Sequence, residues 1–370
     1  MKKAKLSSRN TNNKLEILPR DLIIMDILPR LPVKSLLRFK TVCKTWCSAI
    51  TTTNFRKSHL QFSSSSPKFL LFHVDDERKI FLLSYNESKK TVTNLVQPDI
   101  KFLTEQSYLC HLVGSWNGIL CWYLEELDSF TLWNPATRHY RTFQRFNNVT
   151  DDVNYFSPFE FFGFGYVSST DDYKIVVMYL SERHDDYGYW YVFSLKTGTW
   201  GRIKDLDGTY YSRSLADNRA VCINDTLYWP FGNQDTRVLV GIIGFNLVRE
   251  RMNKVQKVPW LCNYSKVDQI FKMKGCLSLC CSKGRNLVSD VWLLKQRGGT
   301  KTWMKVFSID CRLAPVIDFT ENGKYLVQHS GQLKLIDPNE KDTDYLKSGI
   351  DCDDEIQRLA NKYVESLISF

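Results

Sequence analysis

The feature that most constrains this 370-residue chain is a repeat. Four segments, LSYNESKKTV, TLWNPATRHY, VFSLKTGTW and IGFNLVRERM, share one build: an apolar or aromatic anchor, a polar turn and a second apolar anchor. The two anchors are seven residues apart in each: Tyr85 and Val92, Trp133 and Tyr140, Phe193 and Trp200, Phe245 and Met252. A fifth copy stretches the gap to eleven around a Gly-Gly turn, from Trp292 to Trp303, and a sixth runs from Ile336 to Tyr345. The leading anchors lie 48, 60, 52, 47 and 44 residues apart. A period of about 50 residues is that of four-stranded propeller blades, each of which buries its faces only against its neighbours. Six anchors predict six blades. The first blade, within 68–96, is one strand short, and the terminal KYVESLISF reads as a strand without a blade. Pairing between the two would close the ring and leave only short, protected edges. The competing reading of that end is a helix, because DDEIQRLANKYVESLI also carries i, i+4 apolar spacing. Asn117-Gly118 between apolar runs signals a tight hairpin.

The first sixth of the chain follows another rule. Residues 1–14 are polar and basic and are expected to be disordered. Residues 15–60 are helical by pattern: Pro19 and Asp21 suit a first turn, Pro29 and Pro32 interrupt it, and further helices are expected over Val33–Leu37 and Arg38–Ile50, ending at TTTN. Residues 61–67, with SSSSP, read as a linker, and 68–370 as strands. In LPVKSLLRFKTVCKTWCSAI the apolar residues Leu36, Leu37, Phe39, Val42, Cys43, Trp46, Cys47 and Ile50 cover more than half of a helical wheel. A helix packed on its own domain needs one apolar stripe. A unit of about 45 residues is too small to bury every face, so the remainder is expected to meet another protein.

Charge sharpens this. The net charge is +10, and residues 1–60 carry all of it, with 13 basic and 3 acidic side chains. Aromatic stacking residues are lacking there, so no nucleic acid is expected; an acidic protein partner fits better. No run of apolar residues is long enough for a signal peptide or a membrane span, so no membrane association is expected, and a cytoplasmic or nuclear location follows. The eleven cysteines are then expected as free thiols and four N-x-[ST] sequons as chance matches. MKKAK is a weak import signal at best.

Motifs for chemistry are missing: no G-x-S-x-G, P-loop or H-E-x-x-H occurs. Gly163 and Gly165 lack a third glycine and a following helix. Cys276, Cys280 and Cys281 have no paired second cluster, and Cys43 and Cys47 suit packing rather than metal. The double aspartates at 151–152, 171–172, 185–186 and 353–354 read as solvated loop charges. No cofactor and no catalytic activity are expected.

Two sets of residues carry a family resemblance. Leu18–Leu60, with its opening L-P-x-D, its I-L-x-R-L-P-V-K-S-L-L-R-F-K core, V-C-K-x-W and closing N-F-x-x-x-H-L, resembles an F-box. GSWNGILCWY, FTLWNPATRHYRTF, FGFGYVSSTDDYKIVVMY, VFSLKTGTW, DTLYWPFG and KYVESLIS resemble the kelch-like F-box-associated region of plant F-box proteins, with Trp116 where Cys is common and Pro230 interrupting one strand. The resemblance implies an α+β multidomain chain, a three-helix F-box followed by an all-β propeller. It implies the substrate receptor of an SCF-type ubiquitin ligase: the F-box docks on an acidic Skp-type adaptor and, through it, on cullin and RING subunits, while the propeller recruits a target protein. The family's adaptor-facing positions fall on Leu18, Pro19, Ile24, Ile27, Leu28, Leu31, Pro32, Val33, Leu36, Leu37, Val42 and Trp46, with Lys34, Arg38 and Lys44 as a polar rim. For the target, the irregular segment Phe146–Pro158 and the loop Ser181–Trp190 are candidates, with Arg183, Tyr187, Tyr189 and Trp190 the residue types of hot spots. The alternatives are a propeller binding module working without a ligase, lectin-like or scaffolding; a kelch oxidase, whose metal ligands are not found; and a receptor of the S-locus type.

Overall fold

A computed structural model describes residues 18–64, 68–74, 80–86, 91–96, 110–125, 127–144, 161–180, 188–203, 219–232, 239–264, 266–283, 286–310, 316–329, 332–339, 344–345 and 361–370. The basic tail 1–14, linker residues 65–67, the segment 146–158 and loop residues 181–187 lie outside the described residues.

The helical unit has four helices where three were expected. α1 (Arg20–Leu22) runs on through a π turn (Ile23–Ile27) into a 3-10 turn (Leu28–Arg30) that includes Pro29. α2 spans Val33–Phe39, α3 Lys44–Thr51 and α4 Thr53–Ser63. Residues 38–50 are therefore not one helix. The chain turns at Lys40–Val42, and the Cys43 sulfur accepts the Trp46 N–H at 3.5 Å, capping α3. This break explains why the apolar residues overfill a single wheel: they belong to two helices. The TTTN segment is not a stop but a start, since the Thr52 hydroxyl accepts the Phe55 N–H at 3.3 Å and caps α4.

The described strands form six four-stranded antiparallel sheets. Five are made of consecutive strands. The first of these, for example, runs Cys110–Trp116, Ile119–Leu124, Ser129–Asn134, His139–Gln144. The remaining sheet is composite: Asn361–Tyr363 pairs with Lys68–Leu70, beside Ile80–Asn86 and Thr91–Val96. Six blades were expected, the first completed by the chain end; the structure has five self-contained blades, and the remaining sheet is the one that Asn361–Tyr363 completes. Residues 361–363 are strand, not helix.

The cores lie between neighbouring sheets, as a propeller requires. Val113, Ile119, Cys121 and Leu132 pack against Phe164, Ile175 and Phe193 of the next sheet. Phe161, Val176, Met178 and Trp190 pack in turn against Leu227, Trp229 and Phe245. Close approach there needs Gly163, where a Cβ would meet Ala220, Leu227 and Trp229 at 2.8–2.9 Å.

The anchor pairs are cross-strand neighbours. Tyr85 faces Val92, Trp133 faces Tyr140, Phe193 faces Trp200 and Phe245 faces Met252. A gap of seven is the length of an outer hairpin whose anchors stand opposite one another. The two irregular copies are in other registers: Trp303 faces Leu294 and Tyr345 faces Lys334. The Asn117-Gly118 turn has φ of 52° and 80°, the left-handed pair that a tight hairpin demands.

Candidate functional site: a helical docking face

The helical unit sorts its apolar residues into two groups. Leu28, Val33, Leu36, Ile50 and Phe55 form its core. Leu18, Leu22, Met25, Ile27 and Val42 remain exposed, Met25 at 69% and Val42 at 60%. Of the expected docking residues, Leu18, Pro19, Ile27, Pro32 and Val42 are exposed and Ile24, Leu31, Leu37 and Trp46 are half-buried. Leu28, Val33 and Leu36 are buried to 1% or less and pack in the core of the helical unit. Trp46 also packs internally, edge-on to Phe39 with ring centroids 5.4 Å apart, which locks α3 to α2. Leu22 and Met25 were missed. Their signal was the helix start itself, where LIIMDIL is apolar on almost every side.

Lys34, Arg38 and Lys44 are exposed. They give the helical unit exposed positive charge on α2 and α3. His59 is buried, with its Nε2 3.0 Å from the Leu31 carbonyl. Burial lowers its pKa, so it is a neutral strut between α4 and the turn before α2.

The propeller candidates fare differently. Trp190 lies within the strand Gly188–Ser194 and is fully buried, stacked on Phe161 at 5.8 Å and edge-on to Trp229 at 5.6 Å. It fills the space between two sheets. Tyr189 is half-buried, with the Arg202 guanidinium over its ring at 4.7 Å. Arg183 and Tyr187 fall outside the described residues.

Burial pushes the Cys110 thiol up to about 11 and Cys222 to about 12, and raises Cys121 and Cys281 well above the ordinary range. These thiols stay protonated and serve as packing. No group of three or more His, Cys, Asp or Glu gathers to hold a metal among the described residues. Nor is any helix among them long and apolar enough to cross a membrane.

The arrangement defines a class: a small helical unit followed by a β-propeller. Comparison with known proteins places it. Residues 101–369 match the F-box associated beta propeller domain and residues 15–58 the F-box domain, so the chain belongs to the F-box proteins with an F-box-associated propeller. It is 28% identical to the F-box/kelch-repeat protein At3g23880 of Arabidopsis thaliana over 296 residues, 77% of each chain. It is 26% identical to the F-box protein CPR1 of the same plant, over 79% of this chain and 73% of that one. Among solved structures, the periplasmic gluconolactonase PpgL of Pseudomonas aeruginosa is similar at 11% identity, over 76% of this chain and 82% of that chain, with a TM-score of 0.41.

Proposed function

We propose that this chain is the substrate receptor of an SCF-type ubiquitin ligase. Residues 15–60 dock on a Skp-type adaptor, which connects to cullin and RING subunits, and residues 68–370 recruit a target protein. The chain itself makes and breaks no bonds; it raises the local concentration of the target beside the ubiquitin-carrying enzyme, which is catalysis by proximity. It acts in the cytoplasm, the nucleus or both.

One observation carries the reading: in an F-box unit of this size, Leu18, Leu22, Met25, Ile27 and Val42 stay exposed although five other apolar side chains are buried. Such residues weaken solubility unless a partner covers them. The exposed Lys34, Arg38 and Lys44 suit an acidic adaptor, attracting it before contact.

Co-expression with a Skp-type adaptor followed by size-exclusion chromatography tests this. The wild-type chain is expected to co-elute with the adaptor. A Met25→Asp, Val42→Asp variant is expected to stay folded and elute apart. A wild-type chain that is monodisperse alone and ignores the adaptor would overturn the reading in favour of a propeller binding module working alone.

A further inference from the structure

The last ten residues of the chain touch three parts of the molecule. Asn361–Tyr363 pairs with the strand that opens the composite sheet. Next the chain crosses the sheet that begins at Cys110. There the Asn134 side-chain amide donates to the carbonyls of Ser366 at 3.0 Å and Ile368 at 2.8 Å, while its Oδ1 accepts the Ala136 N–H at 3.0 Å. Gly118 lies so close beneath this segment that a Cβ would collide with the Val364 carbonyl and the Ser366 side chain. Finally Leu367, 3% exposed, enters the helical core among Leu28, Val33, Leu36, Ile50 and Phe55. Arg56 Nη1 donates to Ser369 Oγ at 2.6 Å across 313 residues of sequence.

We propose that this C-terminal decapeptide completes the helical unit, so that the docking face is held rigid only in a chain whose last strand has joined the composite sheet. Leu367 is the positioning residue and Asn134 the clamp that aims it. This rests on the reading of the helical unit as the docking module. The physical ground is size. The helical core has five large buried apolar side chains of its own, and Leu367 is the sixth. So small a core has no reserve to collapse into the cavity that loss of Leu367 would leave. A chain cut short before residue 364 would keep every F-box residue and still present loose helices. Adaptor docking would thereby be reserved for chains in which residues 361–370 are present and have joined the composite sheet.

Hydrogen exchange read by mass spectrometry on the full-length chain tests this, with Leu367→Asp, Leu367→Met and Asn134→Ala beside wild type. Leu367→Asp is expected to speed exchange in α2 and α4 by about tenfold or more, while Ile119–Leu124 and Phe161–Val167 keep their wild-type rates. Leu367→Met should restore the helices, and Asn134→Ala should give an intermediate increase with Leu367 intact. Unchanged helices in both Leu367→Asp and Asn134→Ala would overturn the proposal. So would equal loosening of helices and sheets, which would make the tail a general staple. Exchange is read without any adaptor, so failure of wild type to bind an adaptor and failure of the tail to order the helices are separate results.

Discussion

In the helical unit, Leu28, Val33, Leu36, Ile50 and Phe55 are buried and Leu18, Leu22, Met25, Ile27 and Val42 are exposed, whereas every residue of the strands Ile119–Leu124 and Ser129–Asn134 is buried. These strands are hidden because they pack against the next sheet, where Ile119, Cys121 and Leu132 meet Phe164, Ile175 and Phe193. The helices have Leu367 and Ala136 on one side, and, among the described residues, Leu18, Leu22, Met25, Ile27 and Val42 stay uncovered. One sequence thus contains strands whose apolar residues are buried and helices that leave several apolar residues exposed. In the strands those residues fill the interior; in the helices, on the proposed function, they are half of an interface.

The largest expected effect tests the buried strands. Trp190→Ala would empty the space between Phe161 and Trp229 and cost about 3–5 kcal/mol, read as a shift in the urea unfolding midpoint. Retained stability with lost target recruitment would instead return Trp190 to the recognition surface.

The second expectation sets the two kinds of helical apolar residue against each other. Leu36→Asp places a charge at a fully buried position and should cost about 3 kcal/mol or more, melting the helical signal in circular dichroism. Met25→Asp with Val42→Asp should change stability by about 0.5 kcal/mol or less each and yet weaken adaptor binding about tenfold or more, measured by calorimetry. Equal loss of stability in both variants would erase the distinction.

Acid should separate the regions next. His59 is buried and its pKa is lowered, chiefly by burial, so its neutral form is the one the fold accepts. Its contribution is complete above about pH 6.5, the unfolded value, and falls away as pH drops below that. Asp290 is also buried, and burial alone would raise its pKa. Hydrogen bonds from Lys305 at 2.7 Å, Ser308 at 2.7 Å and Tyr264 at 2.7 Å outweigh this and hold it well below the usual carboxylate range. Its contribution is present above about pH 4 and lost as pH falls further. Between pH 7 and 5 the amide protection factors, corrected for the intrinsic exchange rate, should therefore fall in α4 and hold in the strand Asn286–Arg297, and His59→Gln should abolish that early loss at a cost of about 1 kcal/mol. Asp290→Asn should flatten the later one.

The smallest effect concerns charge. Lys34→Glu with Arg38→Glu should slow adaptor association at low salt and leave stability alone, a difference of about 0.5 kcal/mol that vanishes near 1 M salt. Stopped-flow rates across ionic strength would show it.

The sequence by itself determined what depends on near neighbours. Seven-residue anchor gaps fixed four outer hairpins, because a hairpin's register is set by the turn between its strands. The Asn117-Gly118 turn and the F-box match are equally local. Where the turn lengthened, as between Trp292 and Trp303, spacing no longer fixed the partner, and a bulge beside Trp292 moved the register. Burial was decided only in three dimensions. Trp190 and Met25 are both large and apolar, and nothing in the residues beside them says that one faces Trp229 and the other solvent. That follows from which surfaces meet, and the surfaces that meet are drawn from distant parts of the chain. Leu367 is the clearest case: it reads as the end of a closing strand, and the fold spends it on the core of the helices at the other end of the sequence.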